Sequence, residues 1–242
     1  MFFPIGDTQV EGGYKPIFSY TFIAVNLVIF ILQWTTPGNL VCEYAAIPKQ
    51  IIGGDNLFTL LTSMFMHGSW MHLIGNMLFL WVFADNIEAN IGNIPFLIFY
   101  LTGGIFASAA HIYFSARGVN LDMITCELCN TISPCNETQQ PHSAIIPSLG
   151  ASGAISAVMG AYLLMFPGSR IKVLVLLLFR SFYIPAILFL LLWFGQQLIS
   201  GIGSLGLTTV AGSGVAWWAH IGGFVFGIGS GLYFLTGLKR AT

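Results

Sequence analysis

Long apolar runs, separated by polar or glycine- and proline-containing stretches, dominate the pattern along the chain. About 20 residues of apolar helix cross the hydrocarbon core of a bilayer. Six runs reach that length or come close to it: 17–34 (IFSYTFIAVNLVIFILQW), 69–88, 94–114, 149–166, 183–201 and 214–236. The pattern predicts an all-α membrane protein, a single six-helix membrane domain over residues 1–242. A further apolar stretch, RIKVLVLLLFR at 170–180, is too short to span and is bounded by charges, so it predicts an interfacial or re-entrant segment. The connection 35–68 is itself apolar and predicts a short helical structure lying in the outer leaflet. By contrast 115–147 is polar and rich in cysteine, and 202–213 carries the Gly and Ser content of a mobile loop. There is no tandem repeat.

Composition sharpens this picture. The chain is 56% hydrophobic and 7% charged, against about 25% charged in an ordinary soluble domain. A net charge of −1 offers no electrostatic basis for binding nucleic acid. The amino-terminal residues lack the pattern of a cleavable signal or an Arg-rich import leader. The first run therefore reads as a retained span, in a multi-pass protein of a bacterial inner membrane. Six spans put both termini on one side, together with Lys15, Arg170, Lys172, Lys239 and Arg240 and with Arg180 close by. Only Lys49 and Arg117 fall on the other, so the positive-inside rule makes the termini cytoplasmic.

Polar groups are costly inside a bilayer, and the few present are therefore informative. His72 and Asn76, in HLIGNM of the second run, share a helical face at i and i+4. Ser152 lies in the fourth run and His220 in the sixth, and all these residues sit one to two turns from the outer boundary. A serine and a histidine at one depth are a nucleophile and a general base in waiting, since imidazole can take the hydroxyl proton and later protonate a leaving amine. Amide hydrolysis also needs donors for a developing oxyanion. His72, the Asn76 amide and the Ser152 backbone N–H near a helix start are the candidates. Asp85 and Glu88 lie at the opposite end of the second run, roughly 20 Å away at ~1.5 Å per residue, so the arrangement is a dyad. Ala219, Gly223, Gly227 and Gly231 form a stripe of small residues beside His220, and Gly150, Gly153 and Gly160 give the fourth run its own small face. Packing the two faces together brings His220 toward Ser152. Each signal taken singly has a plainer explanation. A serine among small residues commonly packs or bonds back to its own helix. An intramembrane His or Asn commonly joins helices, and His67 and His111 lie near run ends where they reach water. Their combination at matched depth favours a site.

The motifs GASGAISAVMGAYLLMFP, GVAWWAHIGGF and HGSWMHLIGNMLFLWVFADNIE, with RIKVLVLLLFR, resemble the rhomboid intramembrane serine proteases over nearly all of 17–236 and in the family's order. The resemblance implies a six-helix core with a water-filled cavity open to the outside. Ser152 matches the nucleophile of the GxSG motif and His220 the base of the AHxxG motif. His72 and Asn76 match the oxyanion hole, His67 an upstream structural histidine and Glu88 a structural glutamate. The implied activity is a serine endopeptidase that cuts in or near transmembrane helices of membrane-protein substrates, with no metal or organic cofactor. A catalytically inactive relative that binds membrane-protein clients is the alternative, but such relatives lose the serine or the histidine, and both stand here. A small transporter or channel calls for an intramembrane charge or a broken helix pair along a path, and no Asp, Glu, Lys or Arg occupies the centre of a run. The chain departs from the family where many members place an aromatic one turn after the nucleophile to stack on the histidine: here that residue is Ser156. Trp217 and Trp218 are the nearest substitutes in sequence.

Cys42, Cys126, Cys129 and Cys135 all fall in external connections, on the oxidising side, where disulfides form. A bridge from Cys42 to the 126–135 cluster would tie the two connections together. Cys126, Cys129, Cys135 and His142 also have a spacing that could hold zinc, the rival reading. The sequon Asn136-Glu137-Thr138 matters only in a host that glycosylates.

Overall fold

The computed structural model describes residues 2–8, 12–36, 38–118, 120, 121, 124, 129, 142–175, 179–205 and 215–241. The chain opens with β1 (Phe2–Asp7), followed by α1 (Ile17–Thr35). Three short helices then occupy the first long connection: α2 (Leu40–Tyr44), α3 (Pro48–Ile52) and α4 (Thr59–Thr62), the last continued by a 3-10 turn at Ser63–Phe65. Next come α5 (Trp70–Ile91) and α6 (Asn93–Ala116), and after the second long connection α7 (Ser152–Met165), β2 (Arg170–Val175), β3 (Arg180–Pro185), α8 (Ala186–Ser204) and α9 (Trp217–Ala241). Each of the six long apolar runs contains one long helix: α1, α5, α6, α7, α8 and α9. Among the described residues, α1, α6, α8 and the Trp217–Gly237 part of α9 are long and apolar enough to cross a membrane. Polar side chains lower the mean hydropathy of α5, and α7 has 14 residues.

The stretch 170–180 corrects the all-α expectation. Residues 170–175 and 180 belong to two strands of a three-stranded antiparallel sheet of order β1-β2-β3. Ile171 and Val173 are buried while Arg170 is exposed and Lys172 partly so, the two-residue period of a strand with one covered face. The fifth helix consequently starts at Ala186 rather than at 183, because Tyr183 to Pro185 complete β3. At the other edge, β1 pairs with β2 through a bulge between Pro4 and Gly6. The Asp7 carboxylate then accepts hydrogen bonds from the Tyr162 hydroxyl of α7 and, at 2.6 Å, from the Asn86 side-chain amide of α5.

The core is centred on α7, where every residue from Gly153 to Tyr162 is buried. Its closest neighbour is α9. A methyl group built on Gly223 would lie 2.1 Å from the Gly153 carbonyl oxygen, and one on Gly227 would lie 1.9 Å from that of Ala157. One on Gly160 would reach within 2.2 Å of the Phe224 carbonyl oxygen. The two backbones are thus in direct contact along the stripes that the sequence pattern picked out, the arrangement small residues permit in lipid. At the far end of α5, Glu88 is fully buried and caps α1 from outside: its carboxylate accepts from Phe18 N (2.8 Å), Ser19 N (2.7 Å) and Ser19 Oγ (2.6 Å). The first four N–H groups of a helix lack intrahelical partners, and a carboxylate both pairs some of them and complements the positive end of the helix dipole.

Cys42 of α2 and Cys129 of the second long connection form a disulfide. A disulfide sulfur is not a thiolate, and His142 Nδ1 is taken up by the Ala144 N–H at 3.0 Å, so the zinc reading loses two of its four ligands. Cys126, Cys135 and the sequon at 136–138 lie outside the described residues, as does the 206–213 part of the glycine- and serine-containing loop.

Candidate active site

Ser152 opens α7. At the first helical position its backbone N–H has no partner within the helix, and its hydroxyl faces α9. Four residues on, Ser156 Oγ donates back to the Ser152 carbonyl at 2.6 Å, so the back-bond considered for a small-residue serine is made by Ser156 instead. The turn before α7 depends on Gly150, at φ +121°, a backbone conformation that side-chain-bearing residues avoid. A Cβ there would lie 2.7 Å from His72 Nε2 and 3.5 Å from Asn76 Nδ2. Gly150 therefore brings the Ser152 turn against both side chains of the HxxxN pair. Its own N–H is held by the Ser63 carbonyl at 2.9 Å.

From α9, His220 Nε2 lies 2.8 Å from Ser152 Oγ. The other ring nitrogen, Nδ1, lies 2.8 Å from Gln197 Oε1 on α8. Trp193, one turn before Gln197, has its ring centroid 5.7 Å from that of His220, and Trp217 meets the histidine edge-on at 6.4 Å. Trp218 instead stacks on Phe114 at 3.7 Å. Of the two tryptophans suggested by sequence, only Trp217 touches His220, and the main support comes from α8. Gln197 and Trp193 escaped the sequence reading. The available signal was an adjacent pair of amides, Gln196-Gln197, inside the apolar run LLLWFGQQLIS. One of the pair is buried and the other exposed.

Asn76 is positioned by a second set of contacts. Its Nδ2 lies 2.9 Å from His67 Nε2, which uses one amide hydrogen and leaves the second for another acceptor. His67 is itself clamped through its backbone, by Gln33 at the end of α1: Gln33 Nε2 donates to the His67 carbonyl at 3.1 Å, and the His67 N–H donates to Gln33 Oε1 at 3.0 Å. Phe30 and His72 meet the His67 ring edge-on at 6.4 and 5.1 Å. Burial, and then the adjacent His72, lower the His67 pKa to about 4, so its ring is neutral near pH 7 and accepts from Asn76. Ser69 caps α5 by accepting from the His72 N–H at 3.2 Å. The structure thus brings Ser152, His220, His72, Asn76 and His67 together. It keeps Glu88 apart, at the N-terminus of α1.

A family model for the Rhomboid domain matches residues 54–237, more than half of the chain. Rhomboid protease GluP of Bacillus subtilis (strain 168) is 29% identical over 168 residues, which is 68% of this chain and 27% of that protein. Presenilin-associated rhomboid-like protein A, mitochondrial, of Danio rerio is 26% identical over 215 residues, 85% of this chain and 45% of that protein. Rhomboid protein 1, mitochondrial, of Saccharomyces cerevisiae is 24% identical over 229 residues, 91% of this chain and 54% of that protein. The chain therefore spans from about a quarter to about half of these relatives. Two of the three are named as mitochondrial, which gives no support to the expectation of a bacterial inner membrane.

Proposed function

Because the chain belongs to the rhomboid family, we propose that it is an intramembrane serine endopeptidase working by a Ser152–His220 dyad on transmembrane segments of other proteins. The observation that carries this reading is the 2.8 Å contact between His220 Nε2 and Ser152 Oγ, within the reach required of a nucleophile and its base. Ser152 Oγ attacks the scissile carbonyl as its proton passes to His220 Nε2. The oxyanion that forms is met by the free Asn76 amide hydrogen, the Ser152 backbone N–H and His72. On collapse the C–N bond breaks, and the proton on His220 goes to the leaving amine. Water then enters, gives its proton to His220 and hydrolyses the acyl-serine. The second tetrahedral intermediate collapses with cleavage of its bond to Ser152 Oγ, His220 returns the proton to that oxygen, and the new carboxyl terminus leaves.

In this reading all six long helices cross the bilayer with both termini in the cytoplasm. The 14 residues of α7 measure ~21 Å at ~1.5 Å per residue, against a hydrocarbon core of about 30 Å. If the far end of α7 reaches the cytoplasmic boundary, Ser152 starts the helix well below the outer one. A cavity open to the outside then supplies water, and the α2–α4 segment lies in the outer leaflet beside it.

The test uses the full chain in detergent or liposomes. Wild-type protein should react with a fluorophosphonate probe and cut a model single-span substrate. Ser152→Ala and His220→Ala should do neither while keeping the same thermal melt. Cleavage by either variant at the wild-type rate would remove the dyad. An inert wild-type protein that still captures membrane-protein clients would favour the inactive, client-binding alternative.

A further inference from the structure

We infer that Gln197 is a positioning residue for His220, accepting the Nδ1 proton and so holding the imidazole in the tautomer whose Nε2 can take a proton from Ser152. The inference rests on the serine-protease reading and adds a third member to its dyad.

A neutral imidazole carries one proton, and the nitrogen that bears it decides what the ring can do. With the proton on Nε2 the ring donates toward Ser152 Oγ and cannot act as its base. With the proton on Nδ1, Nε2 presents its lone pair to the hydroxyl. An acceptor at Nδ1 selects the second state, and Gln197 Oε1 stands there at 2.8 Å. The amide is 3% exposed, and its neighbour Gln196 points outward. Trp193 packs on the same ring from one turn earlier and limits its rotation. Two side chains on one face of α8 thus fix the histidine in both tautomer and orientation, where the sequence lacks an aromatic at Ser156.

The choice of an amide has a physical reason. In soluble serine hydrolases a carboxylate commonly fills this role, but a carboxylate at this depth must be stripped of water, at high cost in a low dielectric. The carboxylates of α5 have other partners: Glu88 caps α1, and Asp85 Oδ1 accepts from the Asn86 N–H at 2.8 Å. A glutamine supplies the same lone pair with no net charge. It stabilises the imidazolium less than a carboxylate does, and the Nδ1 proton stays on the ring through the whole cycle.

Three proteins decide the matter: wild type, Gln197→Met, which keeps length and loses the acceptor, and Gln197→Glu, which keeps the acceptor and adds charge. Gln197→Met should lose roughly 10- to 100-fold in kcat with KM within about twofold, and should slow fluorophosphonate labelling equally. That is less than the ~10⁴-fold loss when a triad carboxylate is replaced by an amide and the tautomer reverses. Gln197→Glu should retain turnover at high pH and move the acidic limb of its kcat–pH profile upward, because a carboxylate at Nδ1 holds a proton on His220. Among the described residues, His72 of α5 and His111 of α6 are the titratable groups whose charge reaches His220, and neither changes in these variants. Wild-type labelling and turnover by Gln197→Met overturns the inference and leaves the protease reading intact. Should Gln197→Met fail to fold, an unshifted acidic limb in Gln197→Glu overturns it instead. A wild type as unreactive as Ser152→Ala overturns the protease reading, and this inference with it.

Discussion

At Asn76 one side chain joins two jobs, since the amide that would meet an oxyanion is oriented by a neutral His67. Asn76→Ala should lower kcat by about 10²–10³-fold with little change in KM, as loss of an oxyanion donor does. His67 acts one step back and adds a pH dependence of stability. Its folded pKa of about 4 lies below the ordinary 6.5, so the unfolded chain binds the proton more readily. Stability from this group is therefore whole above about pH 6.5 and declines as pH falls toward 4. Denaturation in detergent across that range should show a shallower slope for His67→Gln than for wild type. The candidate site residues were legible because a bilayer makes every polar group in an apolar run conspicuous, and the pattern put Ser152, His220, His72 and Asn76 at one depth. Gln197 was not, because an amide in an apolar run carries no spacing signature. Its partner lies 23 residues on, in another helix.

Between elements, the contact of α7 with α9 decides whether the proposed dyad closes. A methyl at Gly227 would meet the Ala157 carbonyl oxygen at 1.9 Å, and backbone cannot step aside as a flexible side chain can. Gly227→Ala should push α9 outward, lower the melting temperature and cut turnover by at least tenfold. A misplacement of ~1 Å suffices for a ~10²-fold loss. Gly229→Ala, whose added methyl meets nothing within 4 Å, is the control and should behave as wild type in the same assays. The six long helices and the small-residue stripes could be read from hydrophobic pattern alone. The sheet could not. The alternation of Ile171 and Val173 with Arg170 and Lys172 is overlaid by the apolar residues that follow, and β1 pairs with a strand far along the chain. Local sequence does not announce such a partner.

Over the whole molecule, the Cys42–Cys129 disulfide closes a sequence separation of 87 residues and ties α2 to the second long connection. Cys42→Ser should cost stability of about 2–4 kcal/mol, the usual range for a native bridge, and leave fluorophosphonate labelling at Ser152 unchanged. A calorimetric melt and a labelling time course check the two halves of that expectation. The proposed topology predicts where substrates are cut. A helical backbone has its carbonyls paired, so a substrate must unwind to offer one. The site should thus lie near the outer end of the substrate helix, at small residues beside helix-breaking ones. Mass spectrometry of the fragments reads this directly, and a cut at the cytoplasmic end would reverse both topology and site. The sheet has a consequence for how the protein is made. Asp7 leaves the ribosome 155 residues before its partner Tyr162, a delay of ~8–30 s at ~5–20 residues per second. Throughout that interval β1 has no strand to pair with. A nascent chain stalled before β2 should therefore expose Phe3 to limited proteolysis, and one stalled after α8 has emerged should protect it. The sheet therefore closes on β1 only once β2, far along the chain, has been made.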